Sequence, residues 1–457
     1  MLLRPNVLLI AMIASTGGLL FGFDTGVISG ALPFLKDHWK LTDNNVELLT
    51  TSVLVGAVLG AIASGRLSDV LGRKKMIIIN AVIFALGAVG CAFSTDFVML
   101  ISMRLIVGFA IGITSFVVPM YIAEISPSGK RGALVTLNQL MITIGLLVSY
   151  ITDYWLSNDN NIESWRWMFL VGFFPAIVLL VGMFFLPETP RWLISKNRWD
   201  EGKKVLIGVE DPSLVEQTLA DLKEEVEFSS KNSIRAGEIL KPWLRPALII
   251  TIGIFFFQQF SGVNTIIYYS PIIFEMTGIV SNTQSILPSI LIGTVNVLAC
   301  FVSVILLDKI GRRKLYLIGI SGMIPSLILT GCCFFFKDQL GASLPYFAVF
   351  TIASFIIFIN ISLSPLGWLL ISEIFPLSVR GTGMSIGSLS HWGFNAIISF
   401  TFLTLTNGIG IGSTFLLYAA VCIFGLAWGY YYIPETKGKS LELIEKHWRE
   451  RKSPRDL

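Results

Sequence analysis

The chain has 457 residues, of which 54% are hydrophobic and only 14% charged, whereas a soluble domain carries about 25% charge. Mean hydropathy is +0.73, which excludes a string of soluble domains: repeated apolar stretches of about 20 residues are those of a helical membrane protein. The net charge of +4 says little until its distribution is read, and it offers no reason to expect a nucleic-acid partner.

The first apolar run begins at Val7. Gly22, Asp24 and Gly26 interrupt its middle and no small-residue cleavage site follows. That is wrong for a signal peptide, so the run reads as a retained first span over 7–29. Eleven further spans are predicted over 46–66, 77–93, 97–121, 135–156, 167–186, 246–274, 286–307, 315–336, 346–370, 383–405 and 412–432. The one long polar stretch between spans, 190–243, contains EGKKVLIGVEDPSLVEQTLADLKEEVEF, the pattern of short amphipathic helices on the membrane surface or in water. A second charged stretch covers 435–457. Cys91, Cys300, Cys332, Cys333 and Cys422 all fall in apolar stretches without metal-ligand spacing. They read as small buried residues, with no disulfide framework, metal or cofactor expected.

Lysine and arginine set the orientation. With both termini in the cytoplasm, all but five of the 34 basic residues are on the inner side. Lys36, Lys40, Arg166 and Lys337 are outside, and Arg104 is inside a span. The reverse orientation would put GRKK and GRRK outside.

The two halves of the chain repeat. GRLSDVLGRKK around Asp69 returns as ILLDKIGRRK around Asp308. YIAEISPSGKRG around Glu124 returns as LISEIFPLSVRG around Glu373, and PETPR at 187–191 returns as PETKG at 434–438. Three signatures in one order at nearly one offset point to a parallel duplication, because six spans return the chain to the same side. The expected architecture is an all-α membrane protein of twelve transmembrane helices in two six-helix bundles, 1–189 and 244–434, with a cytoplasmic linker at 190–243 and a cytoplasmic tail at 435–457. Asp69 with Arg73, Glu124 with Arg131, Asp308 with Arg312 and Glu373 with Arg380 place opposite charges at cytoplasmic span ends. They are candidates for networks that hold that side together and break when it opens. Positive-inside anchoring alone would not require matching acids and glycines in both halves.

These motifs, together with PETPR and QQFSGVNTIIYYSP, resemble the sugar porter family of the major facilitator superfamily over essentially the whole chain. The family comprises proton-coupled sugar symporters and facilitative sugar carriers. In span seven, Gln259, Asn264 and Tyr268 lie roughly on one helical side, with Gln258 adjacent. Carboxamides donate and accept at once, which suits sugar hydroxyls, and in the membrane they should face a water-filled cavity. Gly262 in this polar run marks a possible local unwinding. The resemblance implies that these four residues contact the sugar. It adds Gln139 in span five, Asn296 in span eight and Trp368 in span ten, the last stacking beside the sugar. Two departures stand out: Ser364-Pro365 where many members have Gly-Pro, and His391-Trp392 where an amide usually precedes the tryptophan. His391 reads as a hydrogen-bonded replacement for that amide, or as a second titrating group, or as a source of altered sugar preference.

Asp24 is the most informative charge. An aspartate in mid-membrane costs about 2.5–3.5 kcal/mol on insertion scales and needs a partner or a job. Arg104 is the natural partner, and its cation favours the ionised carboxylate. The resemblance agrees, because proton symporters of the family carry Asp here and many uniporters a neutral residue. The expected function is import of a monosaccharide (glucose, galactose or xylose) together with a proton by alternating access. A sugar uniporter is the alternative on the same fold, and a membrane sugar sensor the alternative of another class. Sensors usually carry long tails, and only about 25 residues follow the last span. No nucleophile–base pair, nucleotide loop or metal cluster points to an enzyme. The expected setting is a bacterial inner membrane, with lipid as solvent and the monomer as working unit. The only N-x-[ST] sequon, at Asn360, lies inside a span, so nothing points to glycosylation.

Overall fold

A computed structural model describes residues 5–231, 239–376, 379–439 and 441–457. Every regular element among them is helical. The helices are α1 (Pro5–Trp39), α2 (Asp43–Leu71), α3 (Arg73–Ala92), α4 (Phe97–Ile125), α5 (Arg131–Leu156), α6 (Ser164–Val171) and α7 (Phe173–Phe185). After these come α8 (Pro190–Ser195), α9 (Trp199–Val209), α10 (Val215–Lys231), α11 (Arg245–Phe260), α12 (Val263–Glu275), α13 (Asn282–Ile310) and α14 (Arg312–Phe335). The last six are α15 (Lys337–Leu340), α16 (Leu344–Ile361), α17 (Leu363–Ile374), α18 (Arg380–Ile409), α19 (Ile411–Tyr432) and α20 (Leu441–Arg449).

Eleven helical stretches among the described residues are long and apolar enough to cross a membrane. The remaining predicted span is α18, 30 residues long, whose glycines, serines, His391 and Asn395 lower its apolarity. All twelve predicted spans are therefore helical, and the fold is that of a twelve-helix membrane protein. Most helices run past the predicted ends, because helix continues beyond the apolar layer. The largest difference is in α1, expected to end at 29. Its GALPFLKDHW segment stays helical to Trp39 and stops where Lys40 turns to φ 49°. Spans six, seven and ten are interrupted, at Gly172, Ser261–Gly262 and Ser362. The amphipathic stretch forms α8, α9 and α10, with 232–238 outside the described residues.

The chain packs as two compact units. The first comprises 1–24, 55–149 and 166–233, and the second 25–54, 150–165 and 234–457. In the first, α3 packs on α4 and α7. In the second, α14 packs on α16 and α19. These are spans three, four and six, and nine, ten and twelve, so the duplication is visible in the packing.

The second unit also contains one end of α1, α2 and α5, the end expected outside. There Glu47 of α2 accepts from the backbone N–H and the hydroxyl of Thr404 on α18, both at 2.8 Å. Asp43 accepts from Asn407 at 2.8 Å, and Asp37 from Asn282 at 2.9 Å. Asp159, between α5 and α6, accepts from Ser281 and Thr283 at the start of α13.

Candidate substrate and proton sites

The polar run of span seven lies in the second unit and is organised by its break. Gly262 sits at φ 84° between α11 and α12, a conformation open to glycine at no steric cost. A Cβ there would also collide with the ring of Tyr418. The break changes the phase of the two half-helices and brings Asn264 back over Gln259, to which it donates at 2.6 Å. Gln259 Nε2 lies 3.3 Å from Gln258 Oε1 and 3.0 Å from His391 Nδ1. Gln258 in turn donates to the Leu363 carbonyl at 3.1 Å, just past the break in span ten. The result is a chain of carboxamides strung between two interrupted spans. Each amide keeps further donors or lone pairs for a ligand. His391 Nδ1 also lies 3.3 Å from Gln258 Oε1, so the ring nitrogen can accept from Gln259 or donate to Gln258 according to its tautomer.

Aromatic rings wall this chain. Trp368 lies 5.0 Å from Phe255 and 5.3 Å from His391, and His391 lies 5.2 Å from Trp392, between ring centroids. Trp368 and His391 are half-buried, and Trp392 is buried. Tyr268 is joined to α18 through Asn395, which donates to its hydroxyl at 3.0 Å. Asn296 is buried on α13 with Oδ1 lacking a partner. No hydrogen bond among the described residues joins it to the amide chain. Gln139 belongs to the first unit, half-buried on α5. Phe255 and Asn395 were not anticipated. Phe255 precedes Gln258 and Gln259 by one turn, and Asn395 follows His391 by four residues, so helical spacing was the available signal.

The first unit holds Asp24 and Arg104. Both are buried, at 4% and 0% exposure. Arg104 Nη1 lies 2.5 Å from Asp24 Oδ1, joining α1 to α4 as expected. The contact is single rather than a two-pronged fork. Asp24 Oδ2 and Arg104 Nε and Nη2 have no partner, and the guanidinium stands 5.6 Å from the centroid of the Phe169 ring.

The charge motifs form two matching networks. In the first unit, Arg73 pairs with Asp69 at 3.2 Å and with Glu124 at 3.1 Å. In the second, Arg312 pairs with Glu373 at 2.8 Å. The side chain of Asp308 lies outside the described residues. Arg131 and Arg380 differ from expectation. Arg131 is exposed at the start of α5, and Glu124 turns to Arg73 and to Thr189, which donates at 2.6 Å. Arg380 reaches the Phe375 carbonyl at 3.5 Å, while Glu373 takes Arg312 and Thr436. The reason is the PET segments, recognised as repeats but not as members of the networks. Glu188 accepts from the backbone N–H groups of Arg73 and Lys74, and Glu435 from those of Arg312 and Arg313. Each carboxylate caps the helix that carries its network arginine. Gly72 and Gly311, at φ 93° and 95°, begin those helices, and a Cβ on either would strike the capping glutamate.

The family described as "Sugar (and other) transporter" matches residues 10–448. The chain is 37% identical to the glucose transporter GlcP of Staphylococcus epidermidis, over 99% of this chain and 100% of that one. It is 36% identical to the galactose-proton symporter of Escherichia coli K12, over 96% and 93%. The partially occluded, inward-open structure of the xylose transporter XylE from E. coli superposes with a TM-score of 0.83 at 27% identity, covering 96% and 100%. The chain belongs to the sugar porter family of the major facilitator superfamily. It is a multi-pass membrane transporter, not an enzyme.

Proposed function

We propose that this protein is a sugar:proton symporter that imports a monosaccharide by alternating access across a bacterial inner membrane, with both termini in the cytoplasm. The observation that carries the reading is the Asp24–Arg104 pair. A buried ion pair held by one contact, with a carboxylate oxygen unpartnered, is poised to be replaced by a proton when water reaches it. Asp24 takes a proton from the outer side as the pair loosens, the neutral carboxyl lets the loaded carrier turn inward, and release inside restores the pair. The carboxamide chain from Gln258 to Asn264, with Gln139 and Asn296, supplies donors and acceptors for sugar hydroxyls. Trp368 offers an aromatic face to the apolar side of a pyranose. The two charge networks act as cytoplasmic latches. The names of the relatives support a hexose or xylose as cargo, and the distribution of basic residues supports the orientation.

The test is sugar-driven alkalinisation by cells or vesicles. The parent protein removes protons from the medium as sugar enters. Asp24→Asn abolishes that signal and sugar accumulation while equilibrium exchange of labelled sugar continues. Full accumulation in Asp24→Asn would refute the coupling role of Asp24, and a parent protein that takes up sugar without alkalinising the medium would be a uniporter. Competition of labelled glucose by unlabelled galactose, xylose and inositol ranks the substrates.

A further inference from the structure

Asp153 has no part in the mechanism above. It lies on α5, within the second unit, at 0% exposure. Neither carboxylate oxygen has a hydrogen-bond partner, and no ion pair among the described residues includes it. The helix lying against it is α1. A Cβ on Gly30 would stand 2.5 Å from both Cβ and Oδ2 of Asp153, so glycine permits this approach. The Gly30 backbone N–H approaches the carboxyl without completing a hydrogen bond. One turn earlier on the same face of α5, the Tyr150 hydroxyl donates to the Ile267 carbonyl of α12 at 2.9 Å. The titratable groups facing this pocket are Tyr150 from α5 and, beyond it, Tyr268 from α12. From α1 come Ser29 and Gly30, neither of them charged.

The contrast with Asp24 is chemical. Asp24 is buried beside a guanidinium, and Asp153 is buried beside nothing that can neutralise it. A carboxylate removed from water without a cation or donors is heavily penalised, and the neutral acid replaces it. Asp153 also sits on the segment of α5 that Tyr150 ties to α12, so its burial depends on the same packing as the bonds at the outer end.

We propose that Asp153 is a second proton-binding site, loaded from the outer aqueous side, and that its protonation is a condition for α1, α5 and α12 to close there. The proton is taken from outer water on closing and returned to it on opening. Asp153 therefore sets the external pH dependence of transport without adding to the protons carried per sugar. The proposal rests on the transport reading only in that the outer end must open and close.

The experiment is equilibrium exchange of labelled monosaccharide, the best of glucose, galactose and xylose, in vesicles with external pH varied from about 5.5 to about 8.5. The background is Asp24→Asn, which removes the proposed coupling proton. Exchange is expected to fall at alkaline external pH by up to about tenfold per unit, as for one required proton. Asp24→Asn/Asp153→Asn is expected to show no such fall, because the amide mimics the protonated acid. Exchange in Asp24→Asn that is flat across this range overturns the proposal without the second substitution. Failure of the symport reading appears elsewhere, as Asp24→Asn that still alkalinises the medium. Purified Asp153→Asn should exceed the parent's melting temperature by a margin that widens from about pH 5.5 to about pH 8.5, because the unfolded carboxyl ionises at about 3.9 while the buried one must stay neutral. A lower value at both would mark a purely structural carboxyl and overturn the proposal.

Discussion

At residue scale, the pairing of Asp24 with Arg104 makes each dependent on the other. Removing the arginine leaves a buried carboxylate without its cation, a change that costs about 3–5 kcal/mol in buried pairs. Arg104→Ala should therefore lower the melting temperature of the purified protein. Asp24→Asn/Arg104→Ala should recover part of the loss, because no lone charge remains. Equal melting temperatures for the single and double variants would show that the pair contributes packing rather than electrostatics. This pair was legible in the sequence because two opposite charges in a membrane have few places to go. Asp153 stood in a predicted span just as plainly, yet carried no motif and no visible partner. Its role depends on the absence of neighbours, and only packing reveals an absence.

At the scale of elements, the breaks matter most. Span seven is continuous in hydropathy, with Gly262 alone marking a local unwinding, and helical spacing aligns its amides. The positive φ of Gly262 instead swings α12 so that Asn264 meets Gln259. Gly262→Ala forces an L-residue into a conformation that costs about 1–3 kcal/mol and drives a methyl into the Tyr418 ring. It should lower both the melting temperature and sugar affinity, measured by thermal shift and by substrate protection. The start of α13 gives a second case. Partial burial would raise the titration range of Asp159, but bonds from Ser281 and Thr283 outweigh it and hold the carboxyl below the usual range. A carboxyl depressed in the folded state contributes stability above its unfolded value of about 3.9 and loses it as pH falls through the folded value. Hydrogen exchange at the Thr283 amide should therefore be slow from about pH 5 to about 8 and accelerate below about pH 4. In Asp159→Ala it should be fast throughout.

At the scale of the whole molecule, the bonds from α1, α2 and the turn after α5 to α13 and α18 gather at the end expected outside. If they are an outer gate, holding them shut should stop transport. A short bis-thiol crosslinker joining Asp43→Cys and Asn407→Cys, whose native side chains lie 2.8 Å apart, should abolish sugar uptake. Cleaving the linker should restore it. Uptake that survives quantitative crosslinking would show that this end does not open during transport.

The membrane class, the twelve spans, the duplication, the family and most of the polar groups at the proposed sites are legible in the order of residues alone. Those follow from transfer energetics, helical period and repeated motifs, all local properties of a chain. Tertiary structure decided which groups meet: Arg73 rather than Arg131 on Glu124, the PET glutamates capping α3 and α14, and Asn395 on Tyr268. It also decided that the carboxyl at 24 has a cation and the carboxyl at 153 has none. Partner choice depends on where a helix breaks and how closely two backbones approach. Single glycines at positive φ or at a helix crossing set both, and a residue's place in the sequence does not tell how closely a second backbone will approach it.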